Sequence, residues 1–455
     1  MRPLAFLLLL VCAATAAAKN ASSVPDGNKK EPPNADIKIG VANMEEVYWE
    51  LQPTVEKACK FITAAGDAGI KLLTFAEGVL SGYPWWNWWT QTFDMAGNEM
   101  IGGHWVLNSA RVGYPEFEPL LDCIKKAKVN VVIPMNERDN KGSQAAVFNA
   151  IVFIDSNGKV VARHRKVLPS FTERFWWTHG DGSDLVVVDM PGVGRVCGLL
   201  CWENFVLMAR YTLIAQDCEF WVSPTQDIGP GWANHIKSMA KEAGAYVMGA
   251  GQMFRPAEAA KSPLATQHSG NSKWVKSMTD AFAAVGGGAT TKGYFMDGGA
   301  LIANPFGQTL VGPIYSGCTH CYPECPSSVR DNSIEWARDE GCPDLDGLGP
   351  NERCGFLPVT GITRPTANAD DEEFIMWAVA NRDEAIAAKK VSVNVGTDLI
   401  PQKMFKVTWN NRQGSHITEV DGKVSGSKPI YVDSKWRSKA LKADKMHYGL
   451  NADGL

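Results

Sequence analysis

Along the first half of the chain the hydrophobic pattern keeps switching between two periods. IKIGVAN, KLLTFAE, VNVVIPM, LVVVD, VGRVCGLL and FWVSP are short apolar runs bounded by turn residues, and each reads as a strand. Between several of them apolar residues recur three and four apart. LQPTVEKACKFITAAGDAG predicts a helix that ends near Gly69, and further helices are expected at about 116–128, from about Phe205 to Gln216, and after residue 230 with a strand behind it. AVFNAIVFID and KVVARHRK flank Ser156-Asn157-Gly158 as the arms of a hairpin, and GGALIANPFGQTLVGP has the same form. The alternation resumes in MWAVANRDEAIAAKKVSVNVG. Strands that trade places with helices in this way predict an α/β core around a largely buried sheet.

The ends of the chain read differently. MRPLAFLLLLVCAATAAAKN has an early arginine, an apolar run short of the ~20 residues a bilayer needs, and small residues at Ala16 and Ala18. It is expected to be a secretory signal peptide spanning residues 1–18, which implies export, with no membrane attachment after cleavage. Asn20-Ala21-Ser22 would then be a glycosylation sequon at the start of a polar leader over 19–35. Core structure is expected from Asp36 to residue 316, with the last core elements and an extension over 371–455. Forty-five basic residues against forty-nine acidic ones, without a long basic block, argue against a nucleic-acid partner. Between residues 317 and 370, Cys318, Cys321, Cys325, Cys342 and Cys354 crowd a stretch rich in Pro, Gly, Asp and Asn. Export makes this a disulfide-held insertion, with zinc at the Cys318–Cys321 spacing as the competing reading. Cys59, Cys123, Cys197 and Cys218 read as core filling.

Three ionisable residues share one address, the end of an expected strand: Glu77 after KLLTFA, Lys166 after VVARHR, and Cys201 after GLL. Strand ends are where ligands collect in α/β sheets. A thiolate is a nucleophile, a carboxylate can take its proton, and an ammonium can stabilise charge that develops on the attacked group. Each has a plainer reading. Cys201 could be packing, Glu77 a cap, and Lys166 one more member of the basic cluster Arg163-His164-Arg165-Lys166.

The surroundings favour chemistry. FAEGVLSGYPWW, HRKVLPSFTERFWWTHGDGSDL and GLLCWENFVLMARYTL resemble the nitrilase branch of the carbon-nitrogen hydrolase superfamily. The similarity runs from about Asp36 to Gln252 and returns in DGGALIANPFG. It implies a four-layer αββα sandwich and a catalytic set of Glu77, Lys166 and Cys201, with Glu137 in PMNERD matched to a second glutamate that positions the lysine. A backbone N–H near Trp202 would help stabilise the developing charge. No metal or cofactor is required, and none of the eight histidines falls in a ligand-like or base-like pattern. Trp85 and Trp86 of PWWNWW, together with Trp177, either line an apolar substrate pocket or pack a subunit contact.

The resemblance has gaps. Ala76 stands where the family has a proline, and VNVGTDLIPQKMF replaces its histidine-tyrosine-serine-arginine-proline-aspartate run, so the family's spiral assemblies are in doubt while a homodimer or larger homo-oligomer remains expected. The implied activity is hydrolysis of a small organic nitrile to acid and ammonia. Cleavage of amides, hydration of a nitrile or cyanide to an amide, and a non-catalytic binding role on the same fold are the alternatives.

Overall fold

The computed structural model describes residues 36–88, 95–140, 142–227, 229–267, 280, 295–315, 353–359 and 373–391. The expected signal, leader and sequon, the cysteines from Cys318 to Cys342, and the C-terminal extension lie outside them.

Helix α1 (Leu51–Asp67) follows strand β1 (Ile37–Asn43) and buries Leu51, Val55, Ala58, Phe61, Ile62 and Ala65, the face its spacing predicts. Gly69 has φ 76°, a left-handed conformation that costs glycine little and turns the chain into β2 (Ile70–Thr74). After helix α2 (Met95–Leu107) and helix α3 (Glu118–Ala127) come β3 (Asn130–Arg138), β4 (Val147–Ile154) and β5 (Val160–Arg165). Strands β4 and β5 form the expected hairpin, and the Asp155 carboxylate accepts the N–H groups of Asn157 and Lys159 within its turn.

The second half supplies β6 (Val188–Met190), β7 (Gly194–Gly198), α4 (Leu207–Ile214), β8 (Phe220–Thr225), α5 (Pro230–Ala243), β9 (Tyr246–Gly251) and β10 (Met253–Phe254). Strands β11 (Met296–Ala303) and β12 (Thr309–Tyr315) make the second expected hairpin. The last described elements are β13 (Cys354–Pro358), β14 (Phe374–Ala380) and α6 (Arg382–Val391).

These strands build two mixed sheets. One has the order β13-β14-β1-β2-β3-β4-β5, the other β10-β11-β9-β8-β7-β6 with β12 on β11. Ile39, Val41, Leu72, Val132 and Phe153 of the first meet Val196, Phe220, Val222, Met248 and Ile302 of the second in one apolar layer. On the outer face of the first sheet, Val55, Phe61, Ile62, Leu120 and Ile124 of α1 and α3 pack over Leu73 and Val131. Leu213, Ile236 and Met239 of α4 and α5 cover Trp221 and Val247 on the other side. The result is the expected helix–sheet–sheet–helix sandwich.

Two expectations need correction. Cys354–Pro358 lies inside the stretch read as an insertion, yet it is a strand paired along its length with β14. The four cysteines read as filling are cross-linked, Cys59 to Cys123 and Cys197 to Cys218, and Cys354 is also disulfide-bonded. Packing and pairing coincide here, because each described bridge joins neighbouring elements whose side chains already meet: α1 with α3, and β7 with the turn before β8.

Candidate active site

Glu77, Lys166 and Cys201, far apart in sequence, converge at one end of the two sheets. Glu77 lies three residues beyond β2, Lys166 directly follows β5, and Cys201 opens a short 3-10 turn (Cys201–Phe205) after β7. All three are buried. The Lys166 Nζ sits 3.0 Å from Glu77 Oε1 and 2.8 Å from Glu173 Oε2. Asn149 Nδ2 donates to the same Glu77 oxygen at 2.7 Å, and the Gln226 N–H donates to the other at 2.9 Å. The Thr225 hydroxyl lies 3.2 Å from the Cys201 sulfur.

The electrostatics follow from this packing. Burial opposes the Lys166 charge, but Glu173 and Glu77 outweigh it and hold the ammonium well above its ordinary range. Burial raises Glu77, offset in part by Lys166, which leaves a carboxylate readier than usual to take a proton. The Cys201 thiol is pushed up by burial and by Glu77, with Lys166 and the Thr225 hydroxyl acting the other way. At rest the sulfur therefore keeps its proton, and a base is needed to remove it.

The turn that carries the sulfur is strained. Cys201 has φ 49°, a left-handed conformation unusual for a side chain with a Cβ, and such positions persist only where the surroundings hold them. The rest of CWEN does the holding. Asn204 Nδ2 donates to the carbonyls of Leu199 and Cys201, and its oxygen accepts the Trp221 indole N–H. Glu203 accepts the Leu200 N–H just before the cysteine and the Val167 N–H just after the lysine, at 3.1 and 2.7 Å. One carboxylate thus spans the two reactive segments.

Glu203 also meets His164 Nε2 at 2.9 Å, and His164 Nδ1 meets Asp184 at 2.8 Å. Burial works against the imidazolium, yet the two carboxylates raise it to about 10. No histidine was expected to matter, and the basic cluster around His164 reads as solvated in sequence. In the fold its charges face inward onto acids from distant loops. Asp184 belongs to GDGSDL, and Gly180, the first residue of that motif, lies so close to the Arg165 carbonyl that a Cβ would stand 2.3 Å from it. Only glycine lets this loop lie against the lysine-bearing segment.

Glu137 is placed otherwise than expected. Its carboxylate is held by Arg163 and Arg165 and is drawn below its ordinary range by them against the effect of burial. Lys166 instead takes Glu173, which also accepts the Tyr83 hydroxyl at 2.8 Å and the Ser170 N–H at 2.7 Å. The physical reason is the pleat: Glu137, the last but one residue of β3, is reached across β4 by the side chains of Arg163 and Arg165 on β5, whereas Lys166 has left β5 and meets the turn at Phe171–Phe175. Ser170-x-x-Glu173 is a capping-box spelling visible in sequence, and its return bond, from the Ser170 N–H to Glu173, is present; the same acid serves the lysine as well.

Trp85, Trp86 and Trp177 are fully buried, so they form no subunit surface. They pack with Tyr83, Trp49, Trp105 and Phe254 into an aromatic core, Trp85 stacked on Phe254 at 4.4 Å between ring centroids and the Trp177 indole N–H bonded to Asn136. This core backs the site through Tyr83, whose hydroxyl fixes Glu173. Trp202 is about 40% exposed, bonded to Asp227, and lies beside Phe171 and Phe205.

The carbon-nitrogen hydrolase family model matches residues 38–330. A protein named Nitrilase 2, from an unknown prokaryotic organism, is 32% identical over 219 residues, 48% of this chain and 68% of its own length. A bifunctional nitrilase/nitrile hydratase of Nicotiana tabacum is 28% identical over 287 residues, 62% of this chain and 75% of its own. Among solved structures, a carbon-nitrogen hydrolase from Helicobacter pylori G27 aligns at 13% identity over 82% of this chain and 99% of that one, with a TM-score of 0.49. The chain belongs to the carbon-nitrogen hydrolase family, with its sequence similarity in the nitrilase branch. It is an enzyme that hydrolyses carbon-nitrogen bonds other than peptide bonds.

Proposed function

We propose that the protein is an exported nitrilase, converting a small organic nitrile to its carboxylic acid and ammonia through a covalent cysteine intermediate. The observation that carries this reading is Cys201, the one free cysteine among the described residues, buried on a strained turn beside a lysine–glutamate pair. Glu77 takes the thiol proton as sulfur adds to the nitrile carbon. Lys166 and a backbone N–H at Trp202 stabilise the nitrogen that gains charge, and protonation of that nitrogen leaves a thioimidate. Water activated by Glu77 adds to it, ammonia departs and a thioester remains. A second water releases the acid and returns the proton to sulfur.

The paired cysteines support export, since bridges such as Cys59–Cys123 and Cys197–Cys218 persist in oxidising compartments. Phe171, Phe175, Trp202, Phe205, Leu207 and Met208 stand exposed around the site, an apolar cluster that supports pairing with a second copy of this chain. Sedimentation of the purified protein as a monomer at micromolar concentration would remove the pairing.

Ammonia release from a panel of nitriles and the corresponding amides, by wild type and by Cys201→Ala, tests the activity. Turnover of nitriles to acids that disappears in the variant is expected. Turnover of amides alone would make the enzyme an amidase, and a Cys201→Ala enzyme that retains its rate would overturn the covalent route.

A further inference from the structure

The last residue of strand β8 and the one after it touch the two halves of the reacting pair. The Thr225 hydroxyl contacts the Cys201 sulfur, and the next residue, Gln226, gives its N–H to Glu77. Thr225 is buried, 1% exposed, and its oxygen accepts the Asp227 N–H at 2.8 Å. An amide N–H is only a donor, so that bond occupies a lone pair of the hydroxyl and leaves its proton to be directed elsewhere. The sulfur lies 3.2 Å away.

We propose that Thr225 is a further catalytic residue, whose hydroxyl donates a hydrogen bond to the Cys201 thiolate as it forms. The inference deepens the nucleophile reading and rests on it. In the attack, the S–H bond breaks, its proton passes to the Glu77 carboxylate, and the sulfur electron pair forms the bond to the substrate carbon. Thr225 keeps its own proton throughout. Its contribution is greatest while sulfur carries charge and falls away once the S–C bond has formed, which is the differential that accelerates a step. A buried thiolate needs such a donor, because the Lys166 ammonium remains paired with the Glu173 carboxylate after Glu77 has taken the proton. Gln226 fixes the base at the same time, so the register of one strand end sets the distance from sulfur to carboxylate.

The structural alternative is a threonine that merely accepts the Asp227 N–H at a strand end. The two are separated by the pH dependence of Cys201 alkylation by iodoacetamide, followed on the Cys201 peptide by mass spectrometry in the full-length protein. Thr225→Val removes the hydroxyl at nearly constant shape and is expected to lower the rate of Cys201 alkylation roughly tenfold throughout the neutral range, where the thiol is still protonated. The rate constant kcat should fall by a similar factor with KM little changed, and Thr225→Ser should restore both. If the valine variant does not fold, Thr225→Ser against Thr225→Ala isolates the same hydroxyl. Superimposable alkylation profiles with and without the hydroxyl would overturn the proposal. Failure of the nucleophile itself is read separately, from Cys201→Ala.

Discussion

Replacing both members of a disulfide by alanine tests the most unexpected structural feature of the chain. Cys59 and Cys123 are 64 residues apart, Cys197 and Cys218 only 21. Chain-entropy reasoning gives about 4 kcal/mol for the longer loop and about 3 kcal/mol for the shorter. Burial reverses this ranking. Cys59 and Cys123 are partly buried at the α1–α3 contact, so alanine there adds little to the entropic loss. Cys197 and Cys218 are sealed beneath α4 and α5, and removing two enclosed sulfurs adds roughly 1 kcal/mol each for the cavities left behind. The inner pair should therefore cost about 5 kcal/mol and the outer about 4. Urea unfolding of wild type and the two double-alanine variants, under non-reducing conditions, measures both. The inner bridge also closes the loop that contains Cys201, so its loss should lower ammonia release as well as stability. A non-reducing digest without the two linked peptides, or an unfolding midpoint for wild type that reductant leaves unchanged, would refute the argument.

Two further outcomes follow from the site. Glu173→Gln should reduce kcat roughly 10- to 100-fold, because Lys166 loses one of its two carboxylates, and should also lower stability; Glu137→Gln should destabilise the fold by a few kcal/mol, because Arg163 and Arg165 lose a buried anion, while leaving kcat of the folded enzyme nearly unchanged, so the kinetics of the two variants decide whether the roles are assigned the right way round. His164 is raised in the folded state from 6.5 to about 10, so its contribution to stability is complete below about pH 6.5 and is lost as pH rises toward 10. His164→Gln should accordingly cost more stability at pH 7 than at pH 10, on the order of 5 kcal/mol at most; equal losses at the two pH values in urea titrations would show that the ring is not a buried cation.

What the sequence made legible was whatever a short window can encode. Apolar period marks β1, α1, β3 and both hairpins, and the three candidate side chains announce themselves because each stands at the end of an expected strand. The remainder depends on which distant segment supplies a partner. Glu137 and Glu173 are equally acidic and equally close to basic neighbours in sequence; only the fold decides that β3 gives Glu137 to Arg163 and Arg165 while the turn after Lys166 gives it Glu173. The same holds for His164, whose neighbours Arg163, Arg165 and Lys166 suggest a solvated edge until Asp184 and Glu203 arrive from elsewhere. Pairing of charges thus ranks above their local density in deciding which side chains can be buried. The site follows that rule throughout: Lys166, His164, Arg163 and Arg165, a basic run on one strand and its exit, are each met by an acid from another segment. Their number is why four consecutive cations can enter the interior, and their placement is why Lys166 and Cys201, joined through Glu203, come to rest at the same end of the sandwich.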